Sequence, residues 1–287
     1  ETLPVAANGG TGYGLVITSD RSPAAARPSA TVRSSLMVQN HSVGLGVVAV
    51  DAIVEAVAVR DTACEVASGA FGRGIVAEIN PETGSRAMLQ LAGSVVEGSH
   101  EVGVIVLGSE ATISGTVIRD TLPRSIDGLF GRGLIVQLAA ETSTRSDVTV
   151  SQVLIEGSHE AGLYIAGADG TVEDTVVATT GAQNDTDLFG DGVIASTLFT
   201  PGGVASTNLS LQRCLIRDSA RAGIASFGAT IALANSALDC NPISLAGEPF
   251  LDQPFAISDS GGNACGCASE TVLCQVLSTG LTPPDPL

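Results

Sequence analysis

Three markers recur along this chain at one spacing. His41, His100 and His159 lie 59 residues apart; FGRG at 71–74 returns at 130–133 and again as FGDG at 189–192; VRDT at 59–62 returns as IRDT at 118–121 and VATT at 177–180. Independent markers that share a period define an internal duplication, and a repeat of this size belongs to a solenoid or an array. The unit divides again. A glycine followed by an apolar residue falls at Gly14, Gly44, Gly74, Gly103, Gly133, Gly162, Gly192 and Gly223, in steps of 29 to 31 residues.

Each step pairs this glycine-led strand with an earlier one, as in TVSQVLIEG (149–157) or TVEDTVVAT (171–179). Val150, Leu154, Leu163 and Ile165 alternate as a strand with one buried face requires. No long 3.6-residue apolar stripe competes. Hydrophobic residues make up 44% of the 287 but aromatics only 3%, so the core is built from Val, Ile, Leu and Ala. The β-branched members of that set favour strands.

Short strands, polar turns and a step of about 30 residues describe a coil that closes no core alone and gains one by stacking. The pattern TVSQVLIEGSHEAGLYIAG resembles the parallel β-helix repeat proteins, the pectate-lyase-like group, over residues 10–241. The resemblance implies an all-β fold, a right-handed parallel β-helix, and within that group a non-enzymatic surface type. About eight coils at the ~4.8 Å strand spacing make a rod of ~40 Å. Residues 1–241 are expected to form the helix and 242–287 an irregular cap and tail. Residues 1–11 are expected to fold over the open end, or further coils to precede them. The opening ETLPVAANGG carries no Met and no signal-peptide core, as in a mature chain or an excerpt.

Alternate coils differ. Those like 181–192 insert about eight residues before the glycine-led strand, and they extend after it, as in TLFTPGGVAST (197–207). Such loops are expected on one side of the rod, where solenoids usually carry their binding face.

The net charge is −17, and all 13 cations are Arg. Nucleic-acid binding needs basic surface to displace counterions, so that class is excluded, and an anionic membrane surface is disfavoured for the same reason. No apolar run reaches the 18 residues of a membrane-spanning helix.

Of six cysteines, Cys240, Cys265, Cys267 and Cys274 cluster late. Two disulfides stapling the cap to the last coil are expected, with Cys240 and Cys274 each taking one of Cys265 and Cys267 in an order the spacing leaves open. Cys64 and Cys214 fall about five coils apart, too far to bridge.

The three His residues form a ladder with ~10 Å steps, too wide for one metal ion. Their pattern reads as a corner of the coil, as does the RDT turn. The acidic loop NDTDLFGD (184–191) offers Asp185, Asp187 and Asp191 as oxygen ligands of the kind Ca²⁺ takes, but its spacing departs from an EF-hand. No other cofactor is expected. Polygalacturonase-like members of the group carry an Asp-Asp pair, Gly-His-Gly and Arg-x-Lys, all missing here, and lyase-like members use a basic residue with Ca²⁺.

Two functions follow as expectations. The first is a non-catalytic extracellular or cell-surface solenoid, a spacer, adhesin or assembly module, partnered by a surface polysaccharide or by other copies of itself. The alternative is a polysaccharide-active lyase or hydrolase working from the loop wall with Asp127, Arg132, Asp187 and Asp191. Arg73 and Arg132 stack in alternate coils and Asp191 replaces them in the third, a swap that pairs Asp191 with Arg132 across two coils only if the side chains stretch.

Overall fold

The computed structural model describes residues 12–19, 28–183, 188–267 and 270–287. Among them the regular structure is strand only, and no helix is long and apolar enough to cross a membrane. The chain winds as a parallel β-helix. Each turn contributes one strand to each of three sheets, here A, B and C. Sheet A stacks Leu15–Thr18, Val43–Val48, Arg73–Glu78, Val102–Leu107, Arg132–Gln137, Ala161–Ala166, Asp191–Ser196, Ala222–Phe227, Ile243–Glu248 and Val276–Leu277. Sheet B runs from Ser29–Arg33 to Ala256–Asp259, and sheet C from Leu36–Val38 to Ala264–Cys267.

Each turn therefore has three strands rather than two. The segment 149–157 holds the end of one strand, Asp147–Ser151, and another, Leu154–Glu156, bent apart at Gln152 with φ 55°. The bend also reverses the alternation. Ile155, not Leu154, faces the core beside Val150.

Register puts like side chains over one another. Leu134, Leu163, Val193, Ile224 and Leu245 form one continuous interior stack on sheet A. Ile118, Ile155, Val177, Ile216 and Leu238 form another on sheet C. All of these are buried. Burying one such side chain contributes roughly 1.5–3 kcal/mol. Branched aliphatics stack at strand spacing without gaps, which accounts for a core with so few aromatics.

The recurring glycine has a steric cause. It sits where the chain enters sheet A from sheet C, on the inner side of a tight corner. A Cβ on Gly133 would lie 2.5 Å from Ile155 Cγ2 and 2.7 Å from the carbonyl oxygen of Gly162 in the next turn. The period in the sequence is thus the period of a close approach between successive turns.

The winding continues past the point where that glycine pattern stops. Ile243–Glu248, Ala256–Asp259 and Ala264–Cys267 add a ninth turn in register. Ser244 takes the glycine's place there, so the turn was read from sequence as irregular cap. The end is then closed by Glu270–Val272, which folds back antiparallel on Ala264–Cys267, and by Val276–Leu277. Two disulfides hold this end, Cys240–Cys267 and Cys265–Cys274. Cys64 and Cys214 are free and buried. The expectation for residues 1–11 lies outside the described residues.

Candidate functional site

The long loops gather around one side of the rod, the face of sheet A. They flank sheet A on both edges. Residues 61–72 and 120–131 lead into sheet A, while 79–87, 138–146 and 197–207 leave it. Sheet A becomes the floor of a groove between two walls. Its central outward row is apolar: Val76, Ile105, Ile135, Tyr164, Ile194 and Ala225 lie in line along the rod. They are buried although they face away from the core.

The FGRG motif builds the groove's first edge. Phe71, Phe130 and Phe189 adopt left-handed backbone at φ 63°, 65° and 64°, and the next glycine follows at 91–97°. That turn sets the motif's arginine, Arg73 or Arg132, at the first position of the sheet A strand beside the Phe ring. The Arg132 guanidinium carbon lies 4.6 Å from the Phe130 ring centre and 4.5 Å from that of Tyr164. Such stacking adds about 0.5–2 kcal/mol.

Each arginine meets a carboxylate from the following turn. Arg73 Nε donates to Glu101 at 2.6 Å. Arg132 donates from Nε and Nη2 to Glu160 Oε2 at 3.0 and 2.8 Å, with both side chains almost fully buried. In the third copy the charges are exchanged. Asp191 stands for the arginine and Arg221 for the glutamate, and the two form a bidentate pair, joined by the N–H of Ala222 at 3.0 Å. Asp191 therefore does not reach Arg132; each pairs with a residue one turn away. Burial pushes the Asp191 carboxyl up, against the opposing pull of Arg221 and the Ala222 amide. The joint swap of FGRG to FGDG and of SHEAG to SARAG was the signal of this pairing in the sequence.

Asp127 sits apart, on the loop wall. Arg124 grips it at 2.9 and 2.6 Å and holds its carboxyl below the usual range, with a further bond from the Leu129 amide. Asp127, Arg132 and Asp191 thus occupy three separate ion pairs. Asp185 and Asp187 lie outside the described residues. Both oxygens of Asp191 are taken by Arg221.

Three features were missed from sequence. Glu78 ends a sheet A strand at the groove, where burial raises its carboxyl above the ordinary range against the pull of Arg73. Its counterparts two and six strands on, Gln137 and Glu248, hold the segment 278–287, which lies in the groove. Finally, Cys64 faces His100. Burial would raise the thiol, but bonds from His100 and from Ser125 outweigh it and leave it lowered. The His residues otherwise keep the corner role read from sequence. His41, His100 and His159 place Nδ1 3.0–3.1 Å from the carbonyls of Cys64, Pro123 and Thr121.

Two solved structures share this fold. One is pectate lyase Pel9A, at a TM-score of 0.53 and 9% identity over 92% of this chain and 74% of that one. The other is the catalytic unit of a thermostable GH87 α-1,3-glucanase from Streptomyces thermodiastaticus strain HF3-3, at 0.50 and 13% over 81% of this chain and 48% of that one. No family model and no curated protein matches the chain. At these identities the likeness carries the parallel β-helix and nothing finer.

Proposed function

We propose that this protein is a non-catalytic extracellular or cell-surface β-solenoid, an adhesin or assembly module whose docking face is the groove over sheet A. One observation carries the reading. Three carboxylates at the groove's edge, Glu101, Glu160 and Asp191, are each closed off by an arginine. General acid–base work needs a carboxyl that can exchange a proton with substrate. A glycoside hydrolase needs two such groups facing one bond, ~5–10 Å apart. The exterior location is supported by the two disulfides, since such bonds persist in oxidising surroundings.

A second reading is a polysaccharide-active enzyme. It is favoured by the printed activities of the two fold neighbours and by Glu78, a groove carboxyl with a raised pKa. The two readings separate in a panel of acidic and neutral polysaccharides, with and without Ca²⁺, scored for reducing ends and unsaturated uronates. No release is expected. Release that disappears with Glu78→Gln or Asp187→Ala overturns the first reading.

A further inference from the structure

Residues 278–287 cross the strands of sheet A and run along the rod. Glu248 holds the near end. Its Oε1 accepts the N–H groups of Thr279, Gly280 and Leu281 at 2.6, 2.8 and 3.2 Å, and its Oε2 accepts the Ser278 hydroxyl at 2.7 Å. Gln137 holds the far end: Nε2 donates to the Leu287 carbonyl at 2.9 Å and Oε1 accepts the Leu287 N–H at 3.0 Å. Between them Arg221 donates to the carbonyl of Thr282 at 3.3 Å and Arg132 to that of Asp285 at 2.6 Å.

The dimensions identify the conformation that fits. Glu248 and Gln137 end strands four steps apart in sheet A. Four steps are about 19 Å at strand spacing. Six residues of polyproline helix, the distance from Leu281 to Leu287, also rise about 19 Å, and that helix has three residues per turn. Thr282 and Asp285 are three apart, so their carbonyls point one way, and each meets an arginine. Pro283, Pro284 and Pro286 pre-set the backbone, which lowers the entropy lost on docking. They line a crevice of about 300 Å³ with Tyr164, Leu198 and Phe250.

The receiving arginines are also held by groups outside the segment. Glu160 fixes Arg132 and Asp191 fixes Arg221. Recognition runs through main-chain carbonyls and proline rings, which any similar segment would present. We propose that the groove over sheet A is a docking site for proline-rich extended peptides, and that residues 281–287 are its resident occupant, which an incoming segment must displace. This names the partner class for the docking face proposed above and rests on that reading.

The test uses a synthetic peptide of residues 281–287 as probe, with binding measured by calorimetry. A variant lacking 281–287 is expected to bind it, and the full chain at least tenfold more weakly. The full chain carrying Pro283→Gly and Pro284→Gly keeps the groove intact and weakens only its occupant. It is expected to bind the peptide at least tenfold more tightly than the unaltered chain. Gln137→Ala in the shortened variant is expected to cost at least fivefold. Equal binding by all variants, or none by a shortened variant with unchanged circular dichroism, overturns the proposal. So does binding of an oligosaccharide in place of the peptide. Polysaccharide turnover by the shortened variant would instead overturn the non-catalytic reading, and peptide binding is scored separately from it.

Discussion

The side-chain amide of Gln137 closes on the main chain of Leu287 from both directions, donating at 2.9 Å and accepting at 3.0 Å. The two residues are 150 positions apart. Gln137→Ala removes both bonds, worth about 1–2 kcal/mol together. The interior stack is untouched, so melting temperature should hold within a few degrees. Cleavage by a proline-specific endopeptidase within 281–287 should speed up several-fold.

The exchanged ion pair gives a second prediction. Breaking a buried pair by changing one partner costs about 3–5 kcal/mol, because the other charge is left uncompensated. Arg132→Asp should therefore be strongly destabilising beside Glu160. Adding Glu160→Arg rebuilds the arrangement of Asp191 and Arg221, and should recover more than half of the loss. Chemical denaturation of both variants checks it.

Gly133→Ala tests the close approach that sets the period. The added methyl meets Ile155 and the Gly162 carbonyl, where backbone cannot yield without shifting the next turn. A loss of about 2–4 kcal/mol is expected, beyond an ordinary overpacked core. Gly202→Ala, whose methyl would find its nearest atoms at 3.7 and 3.8 Å, should be nearly neutral. Thermal melts compare the two.

Docking of the segment should depend on pH through Glu248. Burial pushes its carboxyl up, but the Ser278 hydroxyl and the amides of Thr279, Leu281 and Gly280 outweigh it and hold the group below the usual range. A carboxyl lowered in the docked state stabilises that state above its free value, about 4.3, and the contribution is lost as pH falls through the lowered one. Methyl resonances of Leu281 and Leu287 should move toward free-chain positions below about pH 4. Glu248→Gln should remove that dependence.

The solenoid was legible because its cause repeats. One steric contact per turn demands glycine, and eight glycines in step report it. The third strand was hidden because its corner is turned by residues without a signature: Gln152, Asp174 and Arg213 take left-handed backbone there. The ninth turn was hidden by Ser244. Disulfide partners followed from proximity in the last turn, with only their order left to the structure. The groove's floor and occupant could not be read. Its floor is the outward side of strands whose apolar residues look like core, and its occupant is remote in sequence from Arg132 and Gln137. Loop lengths on alternate turns pointed to a binding face but not to two walls.

Hydrogen exchange across residues 278–287 of the full chain tests the central claim most directly, since a docked main chain protects its amides and a free one does not. The amides of Thr279, Gly280, Leu281 and Leu287, which donate to Glu248 and Gln137, should exchange at least tenfold more slowly than in the free peptide. Exchange of all four at free-peptide rates would contradict a groove filled by its own chain.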